Sequence, residues 1–399
     1  MRILFTNPIG GIGGGEKVLL SLLIALRQSL PQAELYLLVC TDGALVQQAT
    51  ALGVKVQVLP LPERLSQTGD SRLKGNRKLG ALINLGWTLA IALPELFSYL
   101  ITWRKTIQHL KPDLIHSNGI KTHLLLGLNQ PANVPVIWHI HDFYGSRPLV
   151  AKGLNWFSRR ATAAIAISKA IAEDTQATLP GLPVTVIYNR IDTAYFSPAP
   201  LATAPENQVL RVGLVATFAR WKGHEIFLAA AALVVEQRPD LAVQFEIVGG
   251  AIYQTAGSQY SQAELEAKAT QLGIRERVVF RGFQTDIAKV YRELDIVVHA
   301  STQPEPFGLA IVEAMACGKP VIVSQAGGAA ELFTDRYDAL GVPPGDSKAL
   351  AAAILELVQH PDLRDRLGTN ARKTVLERFD QHRLGEDLLP FYAPYAAIN

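Results

Sequence analysis

Glu305 and Glu313 stand with seven residues between them in STQPEPFGLAIVEAMACGKPVIV, residues 301–323. Pro304 and Pro306 hold the first carboxylate out of a helix, because proline lacks a donor N–H and restricts the residue before it. From Gly308 onward the composition is helical, until Gly318-Lys319-Pro320 stops the helix ahead of an apolar strand at 321–323. Glu305 is therefore expected on a loop facing a helix N-terminus, with Glu313 a turn or two inside the helix. N–H groups at Gly308 and Leu309, with the helix dipole, suit an anion. The carboxylates suit hydroxyls. A phosphate and two polyols would satisfy such a site, and a nucleotide sugar supplies all three.

A second constellation is VATFARWKGHE, residues 215–225. Arg220 and Lys222 occupy a turn between a strand and a helix, where fixed cations stabilise the charge of a departing diphosphate without a metal. Alone, the loop reads as a solvated basic turn; beside Glu305 it reads as a phosphate site. Glu246 with Gly249-Gly250 closes another strand and would give room for a base or ribose. Near the N-terminus, Gly10 to Gly15 followed by Glu16 lets the backbone come close to a ligand. The dinucleotide pattern G-x-G-x-x-G fails there, ending on Glu16 or Val18.

His141 and Asp142, in VIWHIHDFYG, project from the end of an apolar strand, where the histidine could hold a sugar hydroxyl or a phosphate. His139 is expected to face the opposite side of that strand. His116, with Asn118 and Lys121, is expected at a ligand crevice, holding an acceptor. The bland reading of each is a polar side chain satisfied by a neighbouring loop.

Other chemistries lack their residues. There is no D-x-D pair, no H-E-x-x-H, no Cys/His zinc spacing, no G-x-S-x-G elbow and no G-x-x-x-x-G-K-[ST] loop. No metal and no cofactor are expected. The net charge of +3, without basic-aromatic runs, argues against nucleic acid. Cys40 and Cys317 lie in apolar segments as buried thiols of a reducing compartment. The start, MRILFTNPIG, reads as a strand rather than a signal peptide, so a cytoplasmic protein is expected.

These residues must be positioned by a scaffold, and 399 residues at 49% hydrophobic content suffice for two domains. Short apolar strands alternate with helical stretches, which predicts an α/β protein with parallel sheets. Strands are expected near 2–6, 34–39, 54–59, 113–117, 135–140, 163–167 and 184–188. After a Pro/Ala-rich linker at 197–205 come strands near 210–215, 243–248, 277–281, 295–299, 320–323 and 339–342. Two doubly wound Rossmann-like domains are predicted, 1–195 and 206–379, with 380–399 packing back on the first. Ligands belong at the carboxyl ends of the strands, in the crevice between domains. Residues 79–103 carry one charge, Glu95, and follow a basic stretch from Arg64 to Lys78 that includes Lys74 and Arg77. With Trp87 and Trp103 in reach of an interface, this predicts peripheral membrane association through 64–103; a core helix leading to Asp113 is the alternative.

Together these segments resemble the retaining glycosyltransferases of family 4, the glycosyltransferase group 1 family, over nearly the whole chain. The resemblance is carried by GGGE at 13–16, DLIHSNGIK at 113–121, HIHDF at 139–143, AIAISKAIA at 164–172 and VIYNRIDTAYFSP at 186–198. In the second half it rests on WKGHE, the Glu305–Glu313 pair, EAMACGKPVI at 313–322 and AGGAAEL at 326–332. It implies the GT-B fold, with an acceptor-side first domain and a second domain for the nucleotide sugar. It implies that Glu305 and His141 hold the transferred sugar, Glu313 the ribose and Lys222 the diphosphate. Backbone at Phe307, Gly308 and Leu309 would lie near the sugar and diphosphate. Gly14 and Gly15 are assigned to the donor site, and Arg220 as a substitute phosphate ligand. The reaction it implies keeps the anomeric configuration, needs no protein nucleophile and delivers sugar to a glycan or lipid-linked acceptor. Two positions depart: Ala216-Thr217 replaces the usual Gly-Arg, and Arg190 replaces a hinge glycine. An epimerase-like nucleotide-sugar enzyme and a non-catalytic binding subunit remain as alternatives.

Overall fold

The computed structural model describes residues 1–62, 79–129, 131, 133–199, 209–251 and 257–395; for 79–92 it gives the helix path alone. The basic stretch from Arg64 to Lys78, and most of the linker, lie outside the described residues. The chain divides into two compact units, Met1–Arg190 with His382–Asn399, and Ile191–Gln381.

In the first unit the elements are β1 (Arg2–Asn7), α1 (Gly14–Ser29), β2 (Glu34–Val39), α2 (Ala44–Ala51), β3 (Lys55–Val58), α3 (Leu79–Leu110) and β4 (Leu114–Asn118). They continue with α4 (Ile120–Asn129), β5 (Val136–Ile140), α5 (Pro148–Ser158), β6 (Ala163–Ala166), α6 (Lys169–Thr178) and β7 (Val184–Val186). The seven strands lie in the order β3-β2-β1-β4-β5-β6-β7, every pair parallel. β4 and β5 are buried along their whole length, as strands covered on both faces must be.

The second unit holds β8 (Leu210–Val215), α7 (His224–Gln237), β9 (Val243–Val248), α8 (Gln262–Gln271), β10 (Val278–Gly282), α9 (Ile287–Glu293) and β11 (Ile296–His299). After these come α10 (Leu309–Ala316), β12 (Val321–Ser324), β13 (Leu340–Val342), α11 (Ser347–Gln359) and α12 (Pro361–Arg378). Its sheet order is β10-β9-β8-β11-β12-β13, again all parallel. In each sheet the winding reverses once, between β1 and β4 and between β8 and β11. Such reversals open a crevice at the strands' carboxyl ends.

The last helix, α13 (Leu384–Tyr392), belongs to the first unit. Leu384, Leu388 and Tyr392, at successive i+4 steps, join the core of β1, β2 and α1. Arg190 ion-pairs with Asp387 of this helix. It is not among the residues with positive φ, so the missing hinge glycine is not needed for backbone freedom.

α3 resolves the two expectations for its stretch into two faces. Tyr99, Trp103 and Ile107 are buried, while Leu93, Phe97 and Ile101 are exposed. Trp103, expected at an interface, is wholly buried instead, because it falls on the core-facing stripe.

Candidate functional site

In the second unit the crevice between β8 and β11 holds a buried ion cluster. Lys222 comes from a single 3-10 turn, Arg220–Lys222, just after β8. The next residue, Gly223, has φ +76, and a Cβ there would stand 1.8 Å from the Ala300 carbonyl oxygen. Only glycine lets this turn press against the end of β11. Lys222 Nζ donates to both carboxylate oxygens of Glu305 at 2.8 Å. Ser301 Oγ donates to Glu305 Oε2 at 2.9 Å, and His299 Nε2 lies 3.2 Å from the same atom. The Glu305 backbone is held as firmly: its N–H donates to Ala326 O at 3.2 Å, and its carbonyl accepts from Gly328 N–H at 2.7 Å. Gly327, at φ +66, makes that approach possible, since a Cβ would lie 2.6 Å from the Glu305 carbonyl oxygen.

Burial would raise the Glu305 pKa, but the Lys222 charge and the His299 contact outweigh it and hold the carboxyl far below the usual range. It stays ionised. Glu313, buried in α10, accepts from Tyr291 Oη at 3.0 Å. Gly308, at φ +106, caps α10. A Cβ on Gly308 would sit 3.6 Å from Glu305 Cγ, so the carboxylate loop and the helix start are in contact. The Phe307 side chain is core, edge-on to Phe379; its backbone alone, with that of Gly308 and Leu309, borders the helix start.

Arg220 is not brought into this cluster. Its Nε donates to Gly257 O at 3.1 Å, its Nη2 to Glu264 at 2.9 Å, and its guanidinium lies over the Tyr260 ring. These contacts point the guanidinium towards Glu264 and Tyr260 rather than Glu305. Glu246 and Gly249 are also held by neighbouring strands and loops. Glu246 is buried against Arg281 and Arg211, and a Cβ on Gly249 would meet Ala216 O at 1.9 Å.

In the first unit the corresponding crevice lies between the ends of β1 and β4, where Asn7 and Asn118 meet. Asn118 Nδ2 donates to Asn7 Oδ1 at 2.7 Å, and His141 Nε2 lies 2.6 Å from Asn118 Oδ1. Gly14 and Gly15 open α1, and a Cβ on Gly15 would lie 4.0 Å from His141 Cδ2. The imidazole therefore lies beside the helix start, at a distance that a Cβ on Gly15 would tolerate. Lys121 stands half-buried in the first turn of α4.

Two expectations fail here. His139 does not face away from His141; their rings are 4.2 Å apart. Residues two apart along a strand share a face. His116 does not face a crevice either. It is fully buried, with Nδ1 2.6 Å from Tyr392 Oη and Nε2 3.2 Å from His139 Nδ1, so it offers nothing to an acceptor. Burial holds these imidazoles neutral: it pushes His116 down to about 3 and His141 to about 4, with His139 well below the ordinary value. The partners His299, Ser301, Asn7 and Glu16 were missed in the sequence. The available signal was a polar residue closing an otherwise apolar strand, as Asn7 closes β1 and His299 closes β11. Among the described residues no group of three or more His, Cys, Asp or Glu side chains could hold a metal ion. Nor, among the described residues, is any helix long and apolar enough to cross a membrane.

Two parallel doubly wound units, each with a polar cluster where the winding reverses, define a GT-B protein. The chain belongs to the group 1 glycosyltransferases, enzymes of the glycosyltransferase class: the profile described as "Glycosyl transferases group 1" matches residues 203–374 and "Glycosyltransferase Family 4" matches 12–195. It is 32% identical to the lipopolysaccharide core biosynthesis mannosyltransferase LpcC of Rhizobium leguminosarum bv. viciae, over 57% of this chain and 63% of that one. An uncharacterized glycosyltransferase of Methanocaldococcus jannaschii is 26% identical over 71% of this chain and 75% of its own length. Among solved structures, HepE of Anabaena in complex with UDP-glucose superposes with a TM-score of 0.78 at 26% identity, covering 99% of this chain and 100% of that one. Sucrose-phosphate synthase from Thermosynechococcus elongatus shares the fold, with a TM-score of 0.78 at 20% identity, covering 98% of each chain.

Two outcomes follow from the charge state of these clusters. Removing Lys222 strands a buried carboxylate, so Lys222→Met should cost about 3 kcal/mol of stability, the low end for a broken buried pair because the lysine is partly exposed. Lys222→Met with Glu305→Gln should recover most of it in urea unfolding; equal loss in both would mean the pair is not the source. The histidines give a pH dependence. Their folded pKa values lie below the unfolded 6.5, so their contribution is complete above about pH 6.5 and is lost as pH falls towards 4 and below. Thermal melts of the wild type should decline over that range, and less steeply in His116→Gln.

Proposed function

We propose that this chain is a retaining transferase that moves a sugar from a nucleoside diphosphate sugar to a hydroxyl of a glycan or lipid-linked acceptor, without a metal. The observation that carries the reading is the buried, ionised Glu305 held by Lys222. An ammonium has three N–H groups, and two are spent on Glu305, so the third can meet a phosphate oxygen. Oε2 of Glu305 takes three of its four contacts, which leaves room at Oε1 for a sugar hydroxyl, and Glu313 is assigned to ribose hydroxyls. In the reaction the bond from the anomeric carbon to the diphosphate oxygen breaks, leaving its electron pair on the diphosphate. The acceptor oxygen bonds to that carbon on the same face, and its proton passes to the departing phosphate oxygen. Lys222 and the N-terminus of α10 at Gly308 stabilise the developing charge. Unit-one residues His141 and Lys121 are assigned to sugar hydroxyls. HepE's complexes with UDP and UDP-glucose support UDP-glucose as the first donor to try, and the name of LpcC supports a mannose donor as the second.

The test is turnover of UDP-glucose and a nucleotide mannose in EDTA, with acceptor mixtures, following the anomeric proton by NMR. An α-donor should give an α-product, and Glu305→Gln should lose one to two decades of rate, the worth of a charge-assisted hydrogen bond felt in the transition state (about 1.5–3 kcal/mol). A β-product, wild-type rate in the variant, or activity that needs added manganese would overturn the reading. Donor consumption independent of acceptor would favour the epimerase-like alternative, and binding without turnover the non-catalytic one.

The exposed stripe on α3 favours a second reading, a protein working at the inner face of the cell membrane. Leu93, Phe97 and Ile101 recur at i+4 steps, Leu128 is exposed on α4, and Leu149 and Trp156 on α5 stand among exposed Lys152, Arg159 and Arg160. Apolar and cationic side chains on packed helices are what a surface of anionic lipid binds. The protein should sediment with anionic liposomes at low salt, and Phe97→Ser with Trp156→Ser should release it; a wild type that stays in the supernatant would end this reading.

A further inference from the structure

The hydrogen bonds at the first unit's crevice have a direction, and the direction is set at Glu16. The Glu16 carboxylate can only accept. Its Oε2 takes the Gly13 N–H at 3.0 Å and its Oε1 takes Asn7 Nδ2 at 3.1 Å. Asn7 Nδ2 also donates to Ile9 O at 2.6 Å. Two acceptors facing one end of the Asn7 amide fix that end as NH2, since the reverse would place an oxygen against two oxygens. Asn7 Oδ1 must then face Asn118, which must answer with Nδ2, and this leaves Asn118 Oδ1 towards His141. Asn7 and Asn118 are 0% and 2% exposed and Glu16 is 8% exposed, so water cannot reverse the chain at little cost.

We propose that Glu16, through Asn7 and Asn118, locks His141 in its Nε2–H tautomer, so that Nδ1 is a hydrogen-bond acceptor that recognises a sugar hydroxyl and rejects a carboxylate or phosphate. The sugar half rests on the transferase reading above; the tautomer half does not. An imidazole N–H can go to only one nitrogen of the neutral ring, so a donor fixed at Nε2 leaves a lone pair at Nδ1. Burial keeps the ring neutral near pH 7, which removes the doubly donating imidazolium that an anion would need. Asn118 thereby changes role. It is a positioning residue whose amide is engaged at both ends, and Glu16 does more than cap α1.

The tautomer is read on the full-length chain labelled with 15N-histidine, by long-range proton–nitrogen correlation at neutral pH, with His141→Gln assigning the resonance. A protonated-type Nε2 and a lone-pair-type Nδ1 are expected. The opposite tautomer, or a doubly protonated ring, would overturn the proposal. Glu16→Gln keeps the bulk but gives the anchor a donor end, so the minor tautomer should appear; an unchanged spectrum would remove Glu16 from the chain of control.

The sugar half is read by calorimetry and kinetics. In Glu16→Gln, affinity for UDP should be unchanged, while UDP-glucose binding or the KM for methyl glucoside as acceptor should weaken about tenfold, near 1.4 kcal/mol. A loss confined to UDP-glucose assigns Nδ1 to the donor sugar, and a loss confined to methyl glucoside assigns it to the acceptor. Equal weakening of UDP would show a general structural defect and overturn the sugar half. An Nε2–H tautomer in a chain that binds no UDP-glucose would leave the lock standing and sink the donor assigned above.

Discussion

A carboxylate taken out of water must be paired, and in the second unit that requirement organises everything near Glu305. The partner, Lys222, lies far away in sequence and reaches it only because β8 and β11 are neighbours in the sheet. Those strands are neighbours because the winding reverses between them. Glycines then bring the flanking turns into range, Gly223 against Ala300 and Gly327 against Glu305 itself. Ser301 and His299 fill further lone pairs of the carboxylate. A buried ion pair stabilises a fold little by itself. Its value is a fixed negative charge and a fixed ammonium in a place of low dielectric, where both act strongly on a charged ligand.

The first unit presents mostly neutral groups, anchored by the one carboxylate of Glu16. Its amides are neutral and burial keeps its imidazoles so, and their arrangement carries information in the direction of donation. Helix starts border both crevices, α1 beside His141 and α10 beside Glu305. The sheets are alike in order, and the chemistry presented at their reversal points differs.

Much of this was legible in the chain. The alternation of apolar strands with helical stretches gave both parallel sheets, and Pro304 with Pro306 placed Glu305 on a loop before α10. Glycine spacing excluded a dinucleotide fingerprint. What the chain did not reveal were contacts set by tertiary packing. Arg220 reads as a free cation until Glu264 and Tyr260 are seen to hold it. His116 reads as a surface ligand because nothing local says that Tyr392, from the far end of the chain, covers it. The misplacement of His139 was different: the period of two was there to be read, and it puts His139 and His141 on one face. Trp103 shows the same lesson on a helix, where the two-residue step from Ile101 turns the side chain from surface to core.

The position of α13 sets an order of events during synthesis. Tyr392 closes on His116 across 276 residues, and Leu384 and Leu388 complete the core beneath β1 and β2. On the ribosome the first sheet emerges early but lacks this helix until the whole second unit has been made. Residues 191–381 have their full complement of strands and helices sooner, so they can finish folding while the earlier part waits with an apolar face uncovered. Contacts of such sequence separation form slowly, and an uncovered face of that kind is what chaperones bind. α13 is therefore a latch that can close on the first unit only after the second unit has been made, and products that stop short of it leave that apolar face uncovered.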